Sequence, residues 1–466
     1  MEQKEIEIKH SKSSMASYGS GSLAREFLSM AFTTTVFFYY EDQVGLDGWL
    51  VVLGIIIFAV YNMFNDPIIG YLTNRPFKFT KKWGRRFPWL MLGGIPFGFS
   101  YFLVFTPPNI LVSGSLLVFL WLIFTTCLFD TFHSLFFVNF ISLFPEKFRS
   151  DRERRLASGI YVPIGVVGVA LGAVLPRLIF SYGDLLSYAI QGLFIFIIAV
   201  VFMLLAIPGF RDDREMVQEY VSTFEQQPKR DSFFKSFKNA LKQRSFLAWM
   251  FLYTMYFSLI NTMQNSLDYT VKYVLLRPAG ASTLIFAGFL IGAVLSTPLW
   301  TKLAHKVNNN KKIILIAGLL LGVFAFPLLF LEDYWGIIIT MVFWGIGLGG
   351  FWFMIFPVMS DVIDESVVIT GKREEGVYAG FSQFFARLGI VAQALTFGIV
   401  HSLTGFVEGA LPGTQTPLAL WGIHVHLALI PMIFIFLGCL VFWRFYNLTP
   451  KRIKENAEKL KEMGLK

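Results

Sequence analysis

Long, uninterrupted apolar runs alternate with short polar connections along this chain. Twelve runs occur, at residues 22–41, 46–72, 88–106, 111–143, 157–180, 185–208, 245–275, 283–304, 313–331, 334–360, 377–404 and 420–446. Stretches such as GWLVVLGIIIFAVYNMF and VHLALIPMIFIFLGCLVFW are long enough to cross roughly 30 Å of hydrocarbon. A soluble helix would break such a run with polar residues every turn or two, and these do not. Backbone groups in hydrocarbon must be satisfied within the chain, and barrel strands would be about 10 residues with strict alternation. The pattern therefore predicts an all-α membrane protein with twelve transmembrane helices. Run 111–143 exceeds one span, which predicts tilt, a kink or an extension into water.

The polar connections add orientation. Loops joining even-numbered runs to the next odd one hold most of the Lys and Arg, in KFTKKWGRR, EKFRSDRERR, the 209–244 stretch, the 302–312 stretch and GKR. The opposite loops carry almost none, chiefly Lys272 and Arg277. Positive-inside bias then places both termini in the cytoplasm. The longest connection divides the runs six and six, the plan of major facilitator transporters. The expected organisation is a cytoplasmic tail (1–21), a six-helix bundle (22–208), a cytoplasmic linker (209–244), a second six-helix bundle (245–446) and a second tail (447–466). That second tail gathers Ile453, Ala457, Leu460 and Leu465 towards one face among lysines. It reads either as a helix on the inner membrane surface or as a solvated segment.

Composition narrows the class further. The 466 residues are 55% hydrophobic and 15% charged, against about 25% charged in soluble domains. The net charge of +9 lies in loops between spans, so it indicates membrane topology and not a nucleic-acid partner. Cys127 and Cys439 both fall inside apolar runs, which supports neither a disulfide framework nor a metal site. No Walker loop, HExxH or CxxC pair occurs, so no enzyme and no resident cofactor are expected. The N-terminus lacks the features of a cleaved signal peptide, leaving the first apolar run to direct insertion.

Ionisable side chains inside spans are costly and usually face a cavity or a partner. Asp66 lies in YNMFNDPIIGYL, Asp130 in CLFDTFHS beside His133 and Ser134, Arg387 in FSQFFARLGIVAQ, and Glu26 near the start of the first run. The seventh run adds Asn261, Gln264, Asn265 and Asp268. Counted from their assigned ends, Asp66, Asp130 and Arg387 share one depth in the inner half of the membrane. Two acids and a base at one level either hold a monovalent cation or proton, with Arg387 replacing it when empty, or lock the two halves as a structural charge cluster. Pro67 frees a carbonyl near Asn62, for a cation or only for a kink. Trp352, deeper in its run than Trp49, Trp335 and Trp421, suits stacking against a substrate.

Three stretches, in order, carry a family resemblance. NDPIIGYL followed by KKWGRRFPW, SLFPEKFRSDRERR, and SDVIDESVVITGKREEGVYAG resemble loop signatures of the glycoside–pentoside–hexuronide:cation symporters, the group containing melibiose permease. The resemblance spans essentially the whole chain. It implies a cation site built from Asp66, with Asn62 in place of a second acid, and from Ser134, with Asp130 nearby. It also implies a substrate path lined by Glu26, Asp130, Trp352 and Arg387, the last replacing a lysine, with Asn265 alongside. Two positions depart from the pattern: Phe137 replaces a helix-four aspartate and Val162 a helix-five arginine. The signatures further suggest a cytoplasmic gate in which Arg85, Arg86, Arg152 and Arg154 bridge to Asp361 and Asp364; ordinary positive-inside charge explains the arginines alone.

The expectation is a monomeric major facilitator protein of the cell membrane, in contact with membrane lipid. It would move a small polar solute, a sugar or glycoside, with a co-transported sodium ion or proton by alternating access. A lysolipid-type carrier of the same fold is the first alternative, and a non-transporting receptor or sensor is the second.

Overall fold

The computed structural model describes residues 8–73, 80–148, 150–211, 240–371 and 375–463, and among these every regular element is helical. Most of the expected 209–244 linker and the GKR of the third signature lie outside the described residues. Twelve long helices follow in order: α1 (Lys12–Thr33), α2 (Gly48–Thr73), α3 (Phe87–Val104), α4 (Ile110–Lys147), α5 (Asp151–Ile179), α6 (Leu185–Phe210), α7 (Arg244–Tyr269), α8 (Ser282–Val307), α9 (Asn310–Ala325), α10 (Tyr334–Thr370), α11 (Glu375–Thr404) and α12 (Pro417–Phe445). A thirteenth, α13 (Pro450–Glu462), closes the chain. Eleven of the twelve, α2 to α12, lie in segments long and apolar enough to cross a membrane. The twelfth expected span corresponds to α1, whose Arg25, Glu26 and many hydroxyl and glycine residues lower its mean hydropathy.

α1 also begins ten residues before its apolar run. Ser11 caps it by accepting from Ser14 N–H at 3.2 Å, and Met15 and Tyr18 are buried in an aromatic cluster with Phe140, Phe148 and Phe210. The Tyr18 hydroxyl donates to the Phe140 carbonyl at 2.7 Å. The polar tail expected over 1–21 is therefore partly helix. α4 is kinked: Gly114 has φ 76° and ψ 160°, a conformation open to glycine. α2 runs as helix to Thr73; the Pro67 side chain is outside the described ones.

The chain forms two compact units, Met1–Asp47 with Val60–Lys229, and Gly48–Ala59 with Arg230–Lys466. Their internal packing repeats with an offset of six helices. In the first unit α1 packs on α5 and α6, and α3 on α4 and α6; in the second α7 packs on α11 and α12, and α9 on α10 and α12. Close approach of α1 and α5 requires glycine: a side chain at Gly168 would sit 2.4 Å from the Leu23 carbonyl oxygen. The opening residues of α2 group with the second unit, where the Trp49 indole donates to Ser402 Oγ at 2.9 Å.

The repeat extends to how the helices end. α1 passes through a break at Thr34 into a π-turn at Tyr39–Gln43, and α7 runs directly into one at Thr270–Val274. The closing bonds match: Val44 N–H to Tyr39 O and Leu46 N–H to Tyr40 O, against Leu275 N–H to Thr270 O and Arg277 N–H to Val271 O. Buried Arg177 satisfies the break at Thr34, donating to its carbonyl at 3.1 Å and its hydroxyl at 3.2 Å. The tail helix does not float free. It packs on α10, with Leu460 fully buried and Arg452 paired to Glu365 at 2.6 Å. Leu465 lies outside the described residues.

The two π-turns are followed by different residues at one strained position. Gly45 (φ 74°) and Leu276 (φ 51°) hold the same left-handed position, which costs a β-carbon-bearing residue about 1 kcal/mol. Leu276→Gly should raise the melting temperature in detergent by about 2 °C, and Gly45→Leu should lower it. No change in either would show that the turns are not equivalent.

Candidate functional site

In the first unit, α2 and α4 meet along a polar seam. Asp130, 2% exposed, and Ser134, fully buried, lie one turn apart on α4. The Asn65 side-chain amide reaches both, donating to Asp130 Oδ2 at 2.9 Å and to Ser134 Oγ at 3.1 Å. One turn away the Tyr61 hydroxyl pairs with Thr131 Oγ1 at 2.7 Å. Asn62, also buried, and half-buried Asp66 flank Asn65 on the same helix. Predicted members Asp130 and Ser134 are thus brought together by a residue the sequence reading passed over. Its signal was there: Asn62, Asn65 and Asp66 are polar at i, i+3 and i+4 in an otherwise apolar helix.

Glu26 on α1 is ion-paired with its neighbour Arg25, whose guanidinium lies over the Phe137 ring, 4.4 Å from its centroid. A positive charge thus stands above the residue that replaces the family's helix-four aspartate. Val162, at the place of the family's arginine, is exposed. His133 stacks on Phe137 with centroids 5.4 Å apart and makes a tilted ring contact with Phe97. Arg25 was overlooked because its neighbour Glu26 matched the family pattern.

The second unit holds the other expected residues. Asn265 on α7 is buried, donates to the Asn261 carbonyl at 2.9 Å, and keeps Oδ1 without a hydrogen-bond partner. Trp352 on α10 is about one-third exposed and near the Tyr256 hydroxyl. Tyr256 stacks on Phe351 with centroids 4.0 Å apart. Half-buried Arg387 on α11 sets its charge beside Tyr253 of α7.

Three of the gating arginines have partners within the first unit. Arg86 holds Glu146 at 2.8 Å and donates to Asn139 at 3.1 Å, while Arg85 reaches Glu146 at 3.3 Å. Arg154 donates to the Phe148 carbonyl at 2.7 Å, closing the end of α4, and Arg152 is exposed. Asp361 accepts from Asn310 at 2.8 Å, and Asp364 is half-buried one turn on. Glu146, on the FPEK corner, was not singled out because an acid at a helix end is ordinary in sequence.

Residues 17–450 match the model of the MFS/sugar transport protein family. The chain belongs to that family. Within it, the relatives are those of the glycoside–pentoside–hexuronide:cation symporters, a group of transporters and not of enzymes. The transporter is 23% identical to the glucuronide carrier protein homolog of Escherichia coli (strain K12), over 94% of this chain and 93% of that one. It is 23% identical to the isoprimeverose transporter of Lactiplantibacillus pentosus, over 95% and 91%. Among solved structures it resembles the nucleoside transporter NupG (TM-score 0.64, 12% identity, 93% and 100% covered). It also resembles the xylose transporter XylE from E. coli in its inward-open form (TM-score 0.61, 12% identity, 95% and 98% covered). The transporter is therefore an integral membrane protein of the major facilitator fold.

Removing Asn65 strips a donor from Asp130 and Ser134 at once. Asn65→Ala should destabilise the transporter by about 2 kcal/mol in detergent unfolding, and Asn65→Asp by more, through two facing carboxylates. An Asn65→Ala variant with wild-type stability would show that the seam is not held by this bridge.

Proposed function

We propose that the transporter moves a small polar solute, a sugar or glycoside, in symport with sodium or a proton. The observation that carries this reading is the Asn65 bridge joining Asp130 to Ser134 in a buried seam beside Asn62 and Asp66. Carboxylate, hydroxyl and amide oxygens are hard donors suited to an alkali cation, and the two carboxylates also suit a proton. In hydrocarbon such a set is expensive to keep unless it serves transport. The relatives include a glucuronide carrier protein homolog and an isoprimeverose transporter, which favours a sugar-like cargo. Glu26 and Arg25 then offer a carboxylate and a cation for hydroxyl groups, Trp352 a face for a sugar ring, and Asn265 its open Oδ1 as an acceptor.

In this mechanism Asp66 and Asp130 bind the cation, and Asn65 fixes the seam that holds it. Arg387 replaces the cation electrostatically once the site empties, which lets the unloaded carrier return. Arg85 and Arg86 on Glu146 close the cytoplasmic side, with Asp361 and Asp364 as the acids of the other half. Both termini lie in the cytoplasm, the carrier works as a monomer, and it resides in the cell membrane.

A lipid-type cargo is favoured by one observation: Phe137 and exposed Val162 leave the path less polar than a sugar carrier needs. A 110-residue stretch is also 30% identical to the sodium-dependent lysophosphatidylcholine symporter 1-A of Danio rerio, over 24% of this chain.

Asp66→Asn and Asp130→Asn in proteoliposomes should each weaken the apparent cation affinity by about 30-fold, the loss of one charge-assisted contact, and abolish gradient-driven accumulation. Insertion and folding should be retained. Unchanged coupled uptake in both variants would remove the cation site from this seam. Arg387→Ala should impair coupling more than Arg387→Lys; equal loss in the two would argue against a charge role.

A further inference from the structure

The second unit holds a cavity of about 320 Å³ where the start of α7, the end of α10 and α13 meet, lined by none of the residues assigned above to transport. Three cationic side chains line it, Lys242 and Arg244 at the entry to α7 and Arg452 on α13, against one carboxylate, Glu365. The N-cap of α7 is Gln243, which makes no capping hydrogen bond, so the positive end of that helix adds to the same wall. Three cations and an uncapped helix start define a seat for an anion with several oxygens.

Two lining residues have the opposite need. Glu365 is 4% exposed and gives Oε1 to Arg452 at 2.6 Å, while its Oε2 is buried without a hydrogen-bond partner. Gln243, 7% exposed, has its Oε1 in the same condition. Buried acceptors left without donors are costly, and a simple anion would leave both as they are. A ligand that brings N–H donors as well as a phosphate would satisfy the whole wall. The candidate span of α7 begins at Arg244, so the cavity lies at one end of that span, and Ile369 on its lip is 62% exposed.

We propose that this cavity binds a phosphate carrying a primary ammonium, the chemistry of phosphoethanolamine, whether on a membrane lipid or free. The phosphate sits against Lys242, Arg244, Arg452 and the α7 N-terminus, and the ammonium donates to Glu365 Oε2 and Gln243 Oε1. A quaternary choline has no N–H to donate, and a glycerol headgroup brings no charge to the carboxylate. The bound group joins α13 to α7 and α10, reinforcing the Arg452–Glu365 pair.

Binding of short-chain phosphatidylethanolamine, phosphatidylglycerol and phosphatidylcholine, and of soluble phosphoethanolamine, to the full chain in detergent tests the proposal by native mass spectrometry with thermal shift. Phosphatidylethanolamine should bind about tenfold more tightly than the other two lipids. Glu365→Gln should erase its advantage over phosphatidylglycerol while leaving phosphatidylglycerol binding intact. Should that variant fold poorly, the exposed pair Lys242→Gln with Arg244→Gln serves instead, and should weaken both lipids about tenfold. Soluble phosphoethanolamine matching the lipid would assign the same site to a free ligand; a strong preference for the lipid would assign it to the membrane. Equal binding of phosphatidylcholine and phosphatidylethanolamine, tighter binding of phosphatidylglycerol, or indifference to the Lys242 and Arg244 substitutions would each overturn the proposal.

Discussion

Hydrocarbon offers a helix no hydrogen bonds, and that one constraint accounts for most of what this chain does with its polar residues. α7 shows it most clearly. Its span is the most buried of the eleven and carries a ladder of hydroxyls and amides, yet Thr254, Ser258, Asn265, Ser266 and Thr270 each bond the carbonyl four residues back. Where one helix cannot satisfy itself, a neighbour does. Arg177 of α5 serves the break at Thr34, and the π-turn of α12 brings His426 to Ser266 at 2.7 Å and to His401 at 3.3 Å. Polar groups that gather across helices stand out against this pattern.

The α2–α4 seam is such a gathering. Packing alone would be served better by leucine, since a buried polar cluster seldom outperforms an apolar one of equal volume. The proposed function gives it a physical reason: the oxygens are kept for the cation that passes. Around Glu26 the same chain has been retuned. Phe137 and Val162 remove the charges the resemblance implied, and Arg25 restores a cation one residue from the matching glutamate, over the Phe137 ring. The site keeps a charge pair but draws it from a single helix.

Much of this was legible in the sequence because the signals were local. Span-length apolar runs, basic loops and three loop signatures lead directly to a six-plus-six transporter. Asp130 and Ser134 were visible because acids and hydroxyls are conspicuous in apolar runs. Asn65 was not, because an amide next to an aspartate draws no notice until α2 is docked on α4. Glu146 escaped for the same reason: only the fold puts it between Arg85 and Arg86. The tail helix shows the limit from the other side. Its amphipathic stripe was plain, but periodicity gives a face and not a partner, and the partner is α10. The α1 span was nearly hidden, since its polar residues dilute the hydropathy by which the other eleven announce themselves.

The central claim is that solute movement is driven by a cation bound in the first unit. Uptake of labelled sugars, glycosides, hexuronates and lysolipids into proteoliposomes, each with and without a sodium or proton gradient, tests it most directly. The account predicts that one polar solute accumulates above its equilibrium level only when one of the two gradients is present. Uptake of a polar solute that only equilibrates under either gradient, or gradient-independent movement of lysolipid alone, would contradict it.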